Sequence, residues 1–92
     1  MMTEIIYSKR CDKFLAKNPD KINEEEVDAL IISALKRIFQ TEDVLIDLKK
    51  LKWQSGNVFR IRKGEIRIVF SFEEETDIRV FVHDIDFRGN IY

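Results

Sequence analysis

The fold of this chain is decided by one stretch, Phe59-Arg-Ile-Arg-Lys-Gly-Glu-Ile-Arg-Ile-Val-Phe70. Apolar residues alternate with charged ones on both sides of Lys63-Gly64, which is typical of two strands that each bury one face. Gly64 can adopt the positive φ angle of a two-residue turn, so the stretch predicts a β-hairpin with its turn at Lys63-Gly64. In that register Ile61 lies opposite Ile66, and both point into the core.

Three arginines of this hairpin, Arg60, Arg62 and Arg67, are predicted to share the face opposite to the isoleucines. The predicted register places Arg60 directly opposite Arg67, where two like charges repel unless they share an anion. Alternation in the following strand adds His83 to this face. The pattern alone leaves two interpretations open: a solvated face whose arginine stems cover apolar neighbours, or a binding site for phosphate or RNA.

Charge is distributed unevenly along the chain. Its 92 residues have a formal net charge of −1, which by itself argues against a nucleic-acid-binding protein. Residues 49–70, however, carry seven basic side chains and only one acidic one, whereas the segments on either side are acidic. A positive segment between acidic flanks predicts a local anion site. Its lysines, which we interpret as contacts to a phosphate backbone or as plain solvated charges, are Lys49, Lys50, Lys52 and Lys63.

The N-terminal half predicts one strand and two helices. A β-branched and aromatic run indicates a strand at Thr3–Tyr7. Ser8 can cap a short helix, which Asn18-Pro19 ends. Asn23 can cap a longer helix, because the apolar residues that follow it repeat with the period of one buried helical stripe. These residues are Val27, Leu30, Ile31, Ala34, Leu35 and Ile38.

The C-terminal half changes to a period of two and predicts three strands. They cover Phe59–Ile61, Ile66–Phe72 and Ile78–Val82. The predicted fold class is therefore α+β with the order β-α-α-β-β-β. Two N-terminal helices pack on one face of a mainly antiparallel sheet.

Composition predicts one domain, residues 1–92, in the cytoplasm. Hydrophobic residues make up 45% of the chain and charged residues 36%, which is typical of a globular protein. The single cysteine excludes an internal disulfide and indicates a reducing compartment. No secretory signal is visible at the N-terminus, and no apolar run approaches the roughly 20 residues of a membrane span.

His83, Asp84 and Asp86 are the only cluster that suggests a metal. On a regular strand His83 would point away from both aspartates, and two carboxylates without a third ligand form a poor Mg²⁺ site. We therefore predict no metal and no other cofactor. The imidazole of His83 titrates near neutral pH, so this residue is instead a candidate proton shuttle.

Two motifs resemble those of a known family. Leu48-Lys-Lys-Leu-Lys-Trp53, followed by the hairpin, resembles a pattern of Leu-Lys-Gly, Tyr-Arg-Ile-Arg and Tyr-Arg-Val-Ile-Phe. The ending Phe87-Arg-Gly-Asn-Ile-Tyr92 resembles the signature His-Arg-Gly-Asp-Val-Tyr. The chain is similar to the RelE/ParE-like toxins of bacterial and archaeal type II toxin–antitoxin systems. The similarity extends to these two motifs, to the order in which they occur and to the length of the chain.

The resemblance implies a ribosome-dependent endoribonuclease that cuts mRNA in the A site without a metal and so inhibits translation. Arg67 matches the catalytic arginine, which would stabilise the phosphorane. Arg60 and Arg62 match basic positions that would bind and orient the scissile phosphate. Tyr92 matches a C-terminal tyrosine that would assist proton transfer, and Arg88 matches the arginine four residues before it.

The resemblance also implies partners: a cognate antitoxin, the ribosome and its mRNA, and operator DNA bound through the antitoxin. Two alternatives share the fold. One is a ParE-like inhibitor of DNA gyrase, which dispenses with the nuclease residues. The other is an inactive toxin fold that binds an antitoxin. Asp86 stands where some RelE enzymes have arginine, and Phe87 stands where many have histidine, which removes one candidate proton donor. Asp86 and the acidic pI of about 5.8 suit the inactive alternative.

Overall fold

A computed structural model describes residues 2–51 and 57–89 of the chain. The elements are β1 (Thr3–Tyr7), α1 (Lys9–Lys17), α2 (Glu24–Ile38), β2 (Asp47–Lys50), β3 (Val58–Lys63), β4 (Ile66–Glu74) and β5 (Ile78–Phe87). The predicted α+β class is confirmed, and β2 is an additional strand that was not predicted from the sequence.

Both helices begin, and α1 ends, at the residues that the sequence indicates. The Ser8 hydroxyl accepts a hydrogen bond from the Cys11 amide at 3.2 Å, and the Asn18 side chain donates to the last turn of α1. The Asn23 side chain accepts from the Glu26 amide at 2.8 Å. These bonds satisfy amides or carbonyls that a helix terminus leaves without an intrahelical partner.

The five strands form one sheet in the order β1-β5-β4-β3-β2, and both helices pack on one of its faces. β1 pairs with β5 in parallel, and the other three pairs are antiparallel. The core lies between the sheet and the helices. Its fully buried members include Val27, Ile31, Ala34, Ile61, Ile68, Phe70 and Val80.

The hairpin turn lies one residue later than predicted. Gly64 and Glu65 form the turn, Gly64 has a φ angle of +59°, and Lys63 pairs with Ile66. The predicted turn would have required a positive φ at Lys63, which strains a residue with a side chain. With Gly64 first in the turn, only the glycine adopts this conformation. Each side chain keeps its predicted face, but every cross-strand partner shifts by two residues.

A β-bulge between β4 and β5 corrects a second prediction. The register shifts between Val69 and Phe70, and His83 is the extra residue on β5. Val69 therefore lies opposite Asp84, and the His83 Nε2 atom lies 2.7 Å from the Ser71 hydroxyl. The prediction that His83 points away from the aspartates is wrong, because a bulge breaks the alternation of a regular strand.

Within the described ranges, no helix is long and apolar enough to cross a membrane.

Candidate functional site

Four charged residues form a row across the sheet face that is remote from the helices. In the strand register Asp47 on β2 lies opposite Arg62 on β3, Arg62 opposite Arg67 on β4, and Arg67 opposite Asp86 on β5. Arg60 lies two residues before Arg62 on β3, opposite Lys49. We call the surface carrying Arg60, Arg62 and Arg67 the arginine face.

The predicted pair of like charges is present, but with different members. Arg62, and not Arg60, lies opposite Arg67, because the hairpin turn lies one residue later. An acidic residue stands on each outer side of this pair, Asp47 on one and Asp86 on the other. The row therefore carries two positive and two negative charges, which offsets the repulsion that two facing arginines would otherwise experience.

Asp47 bridges two of the three arginines. Its Oδ1 atom accepts a hydrogen bond from Nη2 of Arg60 at 3.2 Å, and its Oδ2 atom accepts from Nε of Arg62 at 2.8 Å. The Arg60 side chain is only 8% exposed, whereas that of Asp47 is 46% exposed. A buried guanidinium needs a counter-charge to offset the loss of its hydration, and Asp47 supplies it from the edge of the sheet.

The arginines hold Asp47 in its charged form. The hydrogen bond from Arg62 lowers the pKa of the Asp47 carboxyl, and the positive charges of Arg62, Arg60 and Arg88 lower it further. Arg88 lies at the hairpin end of this face, where its amide donates to the Glu65 carbonyl at 2.8 Å. The Asp47 carboxylate of β2, two arginines of β3 and Arg88 at the end of β5 thus interact as one group of charges.

The predicted phosphate-binding lysines are divided between the two faces of the sheet. Lys49 is exposed and lies opposite Arg60, so it belongs to the arginine face. Lys50 and Lys63 pair with the core residues Phe59 and Ile66, so their strand positions belong to the other face. Lys52 and Tyr92 lie outside the described residues.

His83 lies on the arginine face but away from the arginine pair. It contacts Ser71, which lies four positions after Arg67 on β4. At about 3.3 Å per strand residue this separation is about 13 Å. The neighbouring Asp84 forms an ion pair with Arg10 of α1, at 3.4 Å.

Asp47 is a site residue that the sequence pattern did not predict. A weak signal for β2 was present, because the apolar residues Ile46 and Leu48 alternate with charged ones, and both pack against the core. A four-residue edge strand offers little pattern to recognise, and the pairing of Asp47 with Arg60 and Arg62 depends on the register of β2 against β3.

No group of three or more His, Cys, Asp or Glu side chains that could hold a metal ion is present in residues 2–51 and 57–89. The bulge brings His83 and Asp84 to the same face, yet the side chains do not converge on one point. Asp84 is held by Arg10, and His83 is held by Ser71.

Solved structures identify the fold. A metal-bound toxin from Helicobacter pylori matches with a TM-score of 0.63 and 16% sequence identity over 100% of both chains. The RelB–RelE antitoxin–toxin complex from Methanococcus jannaschii matches with a TM-score of 0.53 and 17% identity, covering 95% of this chain and 94% of that one. No protein-family model and no curated protein matches the sequence. The helix pair and the mainly antiparallel sheet are thus a RelE-like toxin fold.

Proposed function

We propose that the protein is the toxin of a type II toxin–antitoxin pair and acts as an endoribonuclease that cuts mRNA in the ribosomal A site. The observation that carries this proposal is the convergence of Arg60, Arg62 and Arg67 on one face of a RelE-like fold. The M. jannaschii protein of this fold is bound to an antitoxin, which supports a cognate antitoxin as the partner of this chain.

The chemistry of RNA cleavage suits this face. The reaction places extra negative charge on the scissile phosphate as the 2′-hydroxyl attacks and the 5′-oxygen leaves. Planar guanidinium groups bind phosphate oxygens with two parallel donors and keep their charge at every physiological pH. In this proposal Arg62 and Arg60 bind the phosphate, and Arg67 stabilises the charge that develops in the transition state.

Replacing Arg67 tests the proposal. Arg67→Ala should lower cleavage of ribosome-bound mRNA by at least about 100-fold, because one donor to the developing charge is lost. The stability of the Arg67→Ala variant should change little, because Arg67 lies between a like charge, Arg62, and an opposite charge, Asp86. The measurement is the mapping of mRNA ends in a translating extract, with thermal unfolding of the purified variant beside it.

A matched control is Lys13→Ala, which removes the same charge from the exposed surface of α1. It should cleave as well as the unmodified protein. Wild-type activity in Arg67→Ala would contradict the assigned role. If the unmodified protein cuts no mRNA but binds its antitoxin, the inactive alternative is favoured, and inhibition of DNA gyrase without cleavage would favour the ParE-like alternative.

Tyr92 is proposed to assist proton transfer, on the resemblance of the C-terminal motif. Tyr92→Phe keeps the ring and removes the hydroxyl, so it should slow cleavage about 10- to 1000-fold while ribosome binding is kept. Full cleavage by Tyr92→Phe with loss in Tyr92→Ala would mean that the ring stacks on a base and that the proton is carried elsewhere. Full activity in both variants would exclude a role for this residue.

A further inference from the structure

We propose that Asp47 is an internal competitor for the phosphate site. Its carboxylate occupies the guanidinium groups of Arg60 and Arg62 in the free protein, and a bound phosphate group displaces it. The inference deepens the proposed function and rests on it, since it concerns the anion that the arginine face accepts.

The geometry of the bridge resembles that of a bound phosphate. The two carboxylate oxygens of Asp47 accept from two different arginines, at 3.2 and 2.8 Å. Two oxygens of a phosphate group can accept from the same two donors, because carboxylate and phosphate both present paired oxygens to planar guanidinium groups. A phosphate and Asp47 therefore cannot use these donors at the same time.

The exposure of the two partners indicates which one moves. Arg60 is held in the interior of the sheet face, with its side chain 8% exposed, whereas Asp47 is 46% exposed on the edge strand β2. A rotation of Asp47 places its carboxylate in water at little cost. The backbone before it stays fixed, because Nη1 of Arg37 donates to the Ile46 carbonyl at 3.1 Å. The site can thus exchange its internal anion without moving the sheet.

The exchange also explains how the free protein tolerates a buried arginine. Burial costs the Arg60 guanidinium part of its hydration, and the Asp47 carboxylate offsets part of that cost. Asp47 stabilises the guanidinium until a phosphate arrives, and in return it weakens the affinity of the face for phosphate. Removal of its charge should then raise the affinity for anions, which is the opposite of the result for a residue that positions the arginines for binding.

The experiment compares Asp47→Asn with Asp43→Asn, which removes the same charge from an exposed residue four positions earlier. The probe is sulfate, a tetrahedral dianion, titrated at constant ionic strength and followed through the arginine Nε–Hε resonances. Asp47→Asn should bind sulfate about tenfold more tightly than the unmodified protein, as one negative charge leaves the site. Asp43→Asn should bind within about twofold of it. Equal or weaker binding by Asp47→Asn would overturn the inference.

A measurement on the unmodified protein keeps the test valid even if Asp47→Asn does not fold. The Asp47 carboxyl carbon is titrated by NMR with and without saturating sulfate. Displacement separates the carboxyl from its arginines, so its pKa should rise towards the ordinary value when sulfate is bound. An unchanged pKa would show that Asp47 stays on the arginines and that the inference is wrong.

These results are independent of the proposed nuclease activity. Tighter sulfate binding by Asp47→Asn, without mRNA cleavage by any form, would keep the internal competitor and reject the endoribonuclease. Cleavage that depends on Arg67, without tighter binding by Asp47→Asn, would keep the endoribonuclease and reject the internal competitor.

Discussion

At the scale of single residues, the molecule places charged groups beside partners that the sequence does not show. Arg60 is the main case, since it is a charged residue at a strand position that is 6% exposed. Charged residues are almost never buried to this extent unless they are paired. The partner, Asp47, is 13 residues away in the chain and belongs to a different strand. Sequence spacing gives no indication of such a pair.

Tyr7 is a second residue whose environment carries a prediction. Burial raises the pKa of its hydroxyl, and the hydrogen bond to Asp28 with the charges of Asp28 and Glu24 raises it further. The folded protein therefore keeps the Tyr7 proton above pH 10, where an unfolded chain releases it. Since the unfolded state then binds fewer protons, the free energy of unfolding falls as the pH rises through this range.

Tyr7→Phe tests this environment. At pH 8 the variant should lose about 1 kcal/mol of stability, because the hydrogen bond to Asp28 is removed. Above pH 10 the difference should shrink, since only the unmodified protein has the Tyr7 ionisation that favours unfolding. Urea-induced unfolding at pH 8 and near pH 11 measures both values. A difference that stays constant over this range would contradict the raised pKa.

At the scale of elements, one hairpin turn and one β-bulge determine which side chains meet on the arginine face. The turn at Gly64-Glu65 sets the partner of Arg67, and the bulge at His83 determines that Asp86 faces it. A regular strand in place of the bulge would exchange the faces of all residues after it. The charge row exists because both irregularities occur in the same sheet.

The hairpin turn can be tested through its glycine. Gly64→Ala should lower stability by about 1–2 kcal/mol, because a side chain is strained at the φ angle of +59° even though the added methyl group meets no atom within 4 Å. Gly89 is the matched control, since a methyl group there also meets no atom within 4 Å, and its φ angle lies outside the strained range.

Gly89→Ala should therefore change stability by less than about 0.5 kcal/mol. Thermal unfolding of the two variants provides the comparison. Equal losses of stability in Gly64→Ala and Gly89→Ala would mean that the positive φ angle at Gly64 does not restrict which residue the turn accepts. A smaller loss of stability in Gly64→Asn than in Gly64→Ala would support the left-handed conformation, because asparagine tolerates it better than alanine does.

At the scale of the whole molecule, folding mixes charges that the sequence keeps apart. Along the chain, seven basic side chains and one acidic one fall within residues 49–70. In the fold, Asp47 enters this region from the N-terminal side and Asp86 from the C-terminal side. The arginine pair is therefore flanked by two acidic residues, whereas Lys49 and Lys50 of β2 are exposed and lie outside this row of charges.

Binding of the proposed antitoxin should depend on these exposed lysines. Affinity should fall about tenfold or more between 0.1 and 1 M salt, as screening shortens from about 10 to about 3 Å. A double variant, Lys49→Ala with Lys50→Ala, should reduce this dependence, whereas Lys13→Ala with Lys17→Ala on α1 should not. Calorimetry with the product of an adjacent antitoxin gene provides the measurement. Affinity that does not change with salt would exclude the basic segment as the docking surface.

The predicted elements agree with the structure where short-range patterns determine them. The caps at Ser8 and Asn23 and the buried stripe of α2 follow from residues within one or two helical turns. The two-residue period of β3 and β4 likewise determines which side chains enter the core. The predicted position of the turn was wrong by one residue. Turns at Lys63-Gly64 and at Gly64-Glu65 both include the glycine, and only the backbone strain at Lys63 distinguishes these two alternatives.

The sequence by itself thus determined the α+β class, the two helices, the hairpin and the shared face of Arg60, Arg62 and Arg67. These features depend on the period of apolar residues and on local hydrogen bonds, which each segment carries alone. Only the tertiary structure decided that Asp47 binds Arg60 and Arg62 and that Asp86 faces Arg67. These pairs join residues that are far apart in the chain, so their existence depends on the register of an edge strand and on a bulge. A difference of one residue in either would pair the arginines with other side chains.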